Sequence, residues 1–302
     1  MKRLIGVFSI LIALMLLVSV TGCGDDDDEG TGSTTTTMTS EQTAQQIQYS
    51  MEEIGFASVS AALGEATMKW DGWEKPDISG YGKISSEWYD YQNGWHTYHI
   101  DTTMTETEDG ITTSVTLDLD EQIRFSMNGT YYEEPPEGLD KLEEKTDVEV
   151  TASMVDPEYG TTNIGLNADV DATLELQDND NLMMNMTESF GLTLSTTNPE
   201  YGTGNYEYNY SVETTNLVVT PEDYYTCPIS GTITMTVSVS YSDGSSTMVG
   251  SGTATLVFND GDVNSTITVG NDQYTETYTN FCNSDYWISS RSYRDLAKAA
   301  LK

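Results

Sequence analysis

From residue 98 onward, apolar and polar side chains alternate with a period of two along most of the chain. This is the pattern of antiparallel strands with one dry face and one wet face. Ile111, Thr113, Val115, Leu117 and Leu119 share a face, as do Ile123, Phe125 and Met127, and Val148, Val150, Ala152 and Met154 form another set. The clearest run is Ile164, Leu166, Ala168, Val170, Ala172, Leu174 and Leu176, separated by Gly165, Asn167, Asp169, Asp171, Thr173 and Glu175. At about 3.4 Å per residue this run spans roughly 44 Å, much longer than a typical strand. Later strands are expected at Ile233, Met235, Val237, Val239 and Tyr241, at Ala254, Leu256 and Phe258, at Val263, Ile267 and Val269, and over residues 274–278. The expected fold is therefore mainly β: one large curved antiparallel meander of about ten strands, half-barrel-like, with a long N-terminal helix and a short C-terminal helix.

The N-terminal helix is expected over residues 41–68, because Ala44, Ile47, Met51, Ile54, Ser58 and Ala61 recur at spacings of three and four. Thr39 or Ser40 caps it, with Gln42 at capping-box distance from Thr39. A short helix is expected at residues 138–145 after Pro135-Pro136, and another at residues 293–302, where Leu296, Ala297, Ala300 and Leu301 make one side. Asp156-Pro157-Glu158-Tyr159-Gly160-Thr161 returns 42 residues later as Asn198-Pro199-Glu200-Tyr201-Gly202-Thr203, with the flanking alternation in phase. Asp/Asn-Pro followed by Gly is turn chemistry, so the repeat predicts a duplicated hairpin. Ser242-Asp243-Gly244 and Asp260-Gly261 predict two more turns.

Residues 70–98 are rich in aromatics, with Trp70, Trp73, Trp88 and Trp95 beside Tyr81, Tyr89, Tyr91 and Tyr98. Such rings usually build a core. The functional alternative for the four tryptophans is a platform for a sugar or another flat ligand. His96 and His99, the chain's two histidines, are three apart. On a strand they fall on opposite faces and do not share a metal ion.

Charge narrows the partners. The 302-residue chain carries a formal net charge of −37, and no Lys or Arg occurs between residues 146 and 290. Nucleic acid is excluded as a partner, since phosphate binding needs clustered cations. The acidity fits a solvated surface kept soluble by its own charge, or else divalent-cation binding. Ca²⁺ favours grouped carboxylates and carbonyls, and the local candidates are Asp178 and Asp180 in Asp178-Asn179-Asp180-Asn181 and Asp260 and Asp262 in Asn259-Asp260-Gly261-Asp262. Neither stretch has the spaced ligands and closing Glu of an EF-hand loop. Disorder is opposed by the regular alternation.

The N-terminus gives the location. Lys2 and Arg3 precede an apolar run over residues 4–20 and then Val20-Thr21-Gly22-Cys23, followed by Gly24 and Asp25-Asp26-Asp27-Asp28. This resembles the lipobox of bacterial lipoproteins. The resemblance implies cleavage of the signal peptide 1–22 and a lipid on Cys23, which anchors the mature chain to a membrane outside the cytoplasm. The apolar run is at the short limit for a retained span, which takes about 20 residues. The acid run resembles the surface-export signals of some lipoproteins, and Gly24 stands where an inner-membrane retention Asp would be. Outer membrane, facing the periplasm or the cell surface, is expected. Residues 23–40 read as an acidic Gly/Ser/Thr tether, and residues 41–302 as a single β-rich domain.

Catalysis finds no motif: no G-x-S-x-G, H-E-x-x-H or P-loop occurs. Asp118 and Asp120 are paired carboxylates that fit a solvated strand face. The expected function is a non-catalytic, membrane-anchored structural or binding module. One alternative is a carrier of lipid or another hydrophobic ligand, because the layout resembles the half-barrel lipoprotein carriers, whose concave apolar face binds acyl chains. The other is a carbohydrate-binding surface protein. Cys227 and Cys282 remain after lipidation, in a compartment where disulfides persist, and are expected to pair.

Overall fold

The computed structural model describes residues 34–50, 86–108, 110–177, 181–198, 202–219, 228–243, 246–260 and 262–279. They form thirteen strands and one helix: β1 (Thr34–Thr37), α1 (Ser40–Ser50), β2 (Ser86–Gln92), β3 (Trp95–Glu108), β4 (Ile111–Met127), β5 (Thr130–Tyr132), β6 (Lys141–Asp156), β7 (Gly160–Leu176), β8 (Leu182–Asn198), β9 (Gly202–Val219), β10 (Ser230–Ser242), β11 (Ser246–Asn259), β12 (Asp262–Val269) and β13 (Asp272–Tyr278). All strands belong to one sheet, ordered β13-β12-β11-β10-β9-β8-β7-β6-β4-β3-β2. The sheet is an antiparallel meander and does not close. β5 folds back on β4, and β1 pairs with β11 in parallel. β1 takes the Ser246–Val249 end of β11, while β12 pairs further along, from Thr253 to Asn259.

The expected alternation is realised strand by strand. Of the run in β7, Leu166, Ala172 and Leu174 are buried, and Ile164, Ala168 and Val170 pack against the same core. Leu176, the last member, is exposed. The strands are long, with 17 residues in β4, β7 and β8 and 18 in β9, or about 58 Å for 17 residues. The first copy of the repeat is a turn, and the second joins β8 to β9, where Asn198 pairs with Gly202 and residues 199–201 lie outside the described residues. Asp156 Oδ1 accepts hydrogen bonds from the amides of Glu158 at 2.7 Å and Tyr159 at 3.0 Å, and β6–β7 and β8–β9 are the two duplicated hairpins.

One irregularity keeps the faces in order. The pairing of β8 and β9 shifts between Met184 and Met186, and Asn216 adopts a φ of 49° while its amide donates to Asn185 Oδ1 at 2.8 Å. Val212 and Thr214 are buried before this bulge, and Leu217 and Val219 after it, so the bulge moves the apolar set from even to odd positions without exposing it. Gly231 lies against it with φ 113°, where a Cβ would stand 2.4 Å from the Asn216 carbonyl oxygen.

The helix begins as its cap predicts. The Thr39 amide donates to Gln42 Oε1 at 3.0 Å and the Gln42 amide to Thr39 Oγ1 at 3.2 Å, a reciprocal capping box. Ala44 and Ile47 are buried, and α1 packs on β11 and β12. Gly252 makes room for it, because a Cβ there would meet Ile47 Cδ1 at 2.3 Å. The remainder of the expected helix, residues 51–68, lies outside the described residues, as do the expected C-terminal helix, Trp70, Trp73, Cys23, Cys227 and Cys282. The described residues contain no disulfide.

Two stretches differ from expectation. Residues 34–37, inside the presumptive tether, form β1. The helix expected at 138–145 is absent: Leu139 is buried in the connection, and β6 begins at Lys141. Leu142 and Glu144 are buried in phase with Val148 and Val150, so the period of two simply starts earlier, while Pro135 and Pro136, which cannot donate to a ladder, confine themselves to the turn.

Two substitutions test this packing. Gly231→Ala forces an L residue into a strained φ, costing about 1–3 kcal/mol before the clash with β9 is counted. Its thermal midpoint should fall by several degrees, and an unchanged midpoint would contradict the placement of the bulge. Ile47→Ala removes a buried anchor at a typical cost of about 2–5 kcal/mol. Amide exchange should accelerate in α1 while β6–β9 stay protected, whereas unchanged α1 exchange would contradict the docking.

Candidate functional site

The register turns separate strands into continuous lateral rows. On the polar face one row runs from His99 on β3 through Asp120 on β4, Asp147 on β6 and Asp169 on β7 to Ser189 on β8 and Ser211 on β9. Three carboxylates thus stand directly opposite one another on consecutive strands. Like charges so placed destabilise a sheet, and the chain spaces them at the separation of neighbouring strands, about 4.8 Å.

The row's local geometry shows how the repulsion is shared. His99 Nδ1 lies 2.9 Å from Asp120 Oδ1 and 3.7 Å from Asp118 Oδ1. Asp118 is two residues from Asp120 on the same strand and therefore on the same face. At the other end, the Ser189 hydroxyl donates to Asp169 Oδ2 at 3.1 Å. Between them, Asp147 is held above the usual carboxylate range by partial desolvation, by a hydrogen bond with Asp169, and by the charges of Asp169, Asp120 and Asp118. From Asp120 to Ser211 the row lies in a groove of about 750 Å³ whose wall also includes Lys145, Asp171 and Glu213, while His99 and Asp118 stand outside it.

Cations do not reach this row among the described residues. Lys145 pairs with Asp171 at 2.9 Å, Lys141 with Glu175 at 3.2 Å, and Arg124 with Glu143 through two bonds of 2.6 and 2.7 Å. All three serve the neighbouring rows nearer the β7–β8 turn.

The opposite face carries a second feature. Near the end of the sheet where β6 meets β7 and β8 meets β9, one row runs from Met104 through Val115, Ile164 and Leu194 to Tyr241 and Met248. Met104 is 55% exposed, and Tyr241 and Met248 are each 41% exposed. Toward the other end the same face is closed, with Ile123, Phe125, Leu142, Leu174 and Met184 at or near zero exposure.

The expected site residues fall as follows. Trp88 sits opposite His99 in the ladder. Trp95 shares the polar face with His99, and the Arg124 guanidinium covers one face of its ring at 4.3 Å from the centroid. The neighbouring aromatics instead join the core: Tyr98 is buried, Tyr89 stands 5.0 Å from it between ring centroids, and the Tyr89 hydroxyl is 2.8 Å from Nδ1 of the buried His96. His96 and His99 are on opposite faces of β3. Asp178 and Asp180 lie outside the described residues. Asp260 occupies the β11–β12 turn with φ 49°, its amide donating to the Ile229 carbonyl at 2.8 Å, and Asp262 opens β12 opposite Asn259. Sequence reasoning had Asp118 and Asp120 as paired carboxylates but missed that His99 and Asp147 flank Asp120. The alternation on each strand carried the face, and only the pairing carries the neighbours.

Comparison with known proteins adds nothing to this geometry: no family model, no curated protein and no solved structure matches the chain.

The charge on the row is testable through pH. A carboxyl whose folded pKa is raised is ionised at a cost above that pKa, and the cost fades as pH falls through it toward the unfolded value. Asp147→Asn removes two like-charge pairs, each worth of order 0.5 kcal/mol. The variant should therefore melt higher than wild type at pH 7, with the gap closing as pH is lowered into the ordinary carboxylate range. A variant that melts lower at pH 7 would contradict the repulsion.

Proposed function

We propose that the chain is a lipid-anchored, non-catalytic binding module outside the cytoplasm, and that it holds an apolar ligand such as an acyl chain against the open end of its inner face. The observation that carries this reading is the apolar row from Met104 to Met248, exposed at Met104, Tyr241 and Met248 and half-buried between them. Large apolar side chains left in water at one end of a face that is otherwise buried are the kind of surface that marks a ligand or partner. The open strand order supports a curved half-barrel with a mouth, as in the carrier-like layout, rather than a membrane-spanning barrel, which must be closed. Attachment at Cys23, residence in the outer membrane and a Cys227–Cys282 disulfide belong to the same proposal and rest on the sequence.

Native mass spectrometry of the protein extracted in mild detergent tests the ligand. Wild type should carry an acyl-bearing adduct beyond the covalent anchor, and Ile164→Asp, which places a charge in the middle of the apolar row, should lose it while keeping its far-UV circular dichroism. A ligand-free wild type would overturn the carrier reading and leave the module a scaffold. The anchor is tested separately: an alkynyl palmitate fed to cells should label wild type and not Cys23→Ala, and label persisting in the variant would remove the anchor.

A further inference from the structure

The polar face of an acid-rich sheet needs no ligand, and most of its carboxylates are explained by solvation. His99 is different. It places the one imidazole of this face directly opposite a carboxylate, and it does so by register: β3 puts His99 directly opposite Asp120. The side chain of His99 is 19% exposed, against 51% and 52% for Asp118 and Asp120, so the imidazole forms the floor and the carboxylates the rim.

We propose that His99, Asp118 and Asp120 form a binding site for a divalent first-row transition metal ion such as Zn²⁺. The ligand atoms of the three residues all lie within 4.8 Å of one another. Metal–nitrogen and metal–oxygen bonds of about 2.0–2.2 Å at tetrahedral or right angles place neighbouring ligand atoms about 2.8–3.6 Å apart. The observed separations from His99 Nδ1 are 2.9 Å to Asp120 and 3.7 Å to Asp118, and rotation of the exposed carboxylates brings the set toward one ion. One nitrogen and two carboxylate oxygens leave further positions for water, or for Asp147 across the ladder from Asp120. Among the described residues no Lys or Arg makes an ion pair with these carboxylates, so the contact that an entering cation replaces there is the one His99 Nδ1 makes with Asp120.

The donor set selects the ion class. Imidazole favours Zn²⁺ and its transition-metal neighbours, whereas Ca²⁺ takes oxygen ligands and gains nothing from the nitrogen of His99. The site is distinct from the turn carboxylates Asp260 and Asp262 and lies on the opposite face from the apolar row, so it stands or falls independently of the carrier reading.

Calorimetric titration of ZnCl₂ into the full-length protein, purified in detergent and freed of metal, decides it. Wild type should bind one Zn²⁺ whose affinity falls about 10- to 100-fold in His99→Gln and in Asp120→Asn, while Glu207→Gln, elsewhere on the same face, leaves it unchanged. Ca²⁺ should give no comparable site, and its response should be indifferent to His99. Circular dichroism of each variant guards against loss of fold, and in wild type the His99 imidazole resonances should shift on adding Zn²⁺ while those of the buried His96 do not. Zn²⁺ binding of equal affinity in wild type and His99→Gln, no Zn²⁺ binding at all, or a Ca²⁺ site lost with His99 would each overturn the proposal.

Discussion

The structure depends on cross-strand register. In an antiparallel sheet whose side chains alternate, a slip of one residue between two strands sends every side chain to the wrong face. Here the consequence of a slip is severe, because one face carries Phe125, Leu142, Leu174 and Met184 at zero exposure and the other carries the carboxylates of Asp120, Asp147 and Asp169. The hairpin turns hold the parity from strand to strand. Where a strand must gain a residue, at Asn216 in β9, the bulge is locked from both sides, by the Asn185 side chain and by the absence of a side chain at Gly231.

Register also explains why the two faces do different things. Burial of the inner face drives folding in proportion to the apolar area removed from water, and it fixes the outer face as a by-product. The outer face then inherits rows of like groups. Some rows are neutral and mutually hydrogen-bonded, as Thr103 with Thr116 at 3.1 Å and Thr105 with Ser114 at 3.1 Å. Others pair opposite charges, as Lys145 with Asp171. The row from His99 to Asp169 does neither along its whole length, and its chemistry is that of carboxylates held close with one imidazole at the end. A face of this kind tolerates its acidity because most of it is in water, where like charges are screened within about 8–10 Å at moderate salt.

Much of the fold was legible because the signals are local. The capping box at Thr39 and Gln42, the Asp156-Pro-Glu-Tyr-Gly turn and the alternation in β7 each lie within a single segment, and each is present. The helix expected at 138–145 does not form because Pro135, Pro136 and Gly138 interrupt the pattern only briefly, and the alternation of Leu142, Glu144 and Val148 resumes at once. β1 could not be read, since four threonines carry no apolar pattern and its partner lies more than 200 residues away at Ser246. The cluster around Asp120 was hidden for the same reason. Its members come from β3, β4 and β6, and nothing in any one strand says which residue of the next will stand opposite.

The central claim is that these strands pair in the one register that aligns Asp120, Asp147, Asp169 and Ser189 across four strands. Cross-strand proton–proton contacts measured by solution NMR on the deuterated protein test it directly. The account predicts contacts joining Asp120 to Asp147, Asp147 to Asp169, and Asp169 to Ser189. Contacts displaced by one residue, such as Asp120 to Val148, would place the carboxylate row against the apolar face and contradict the structure on which both proposed sites rest.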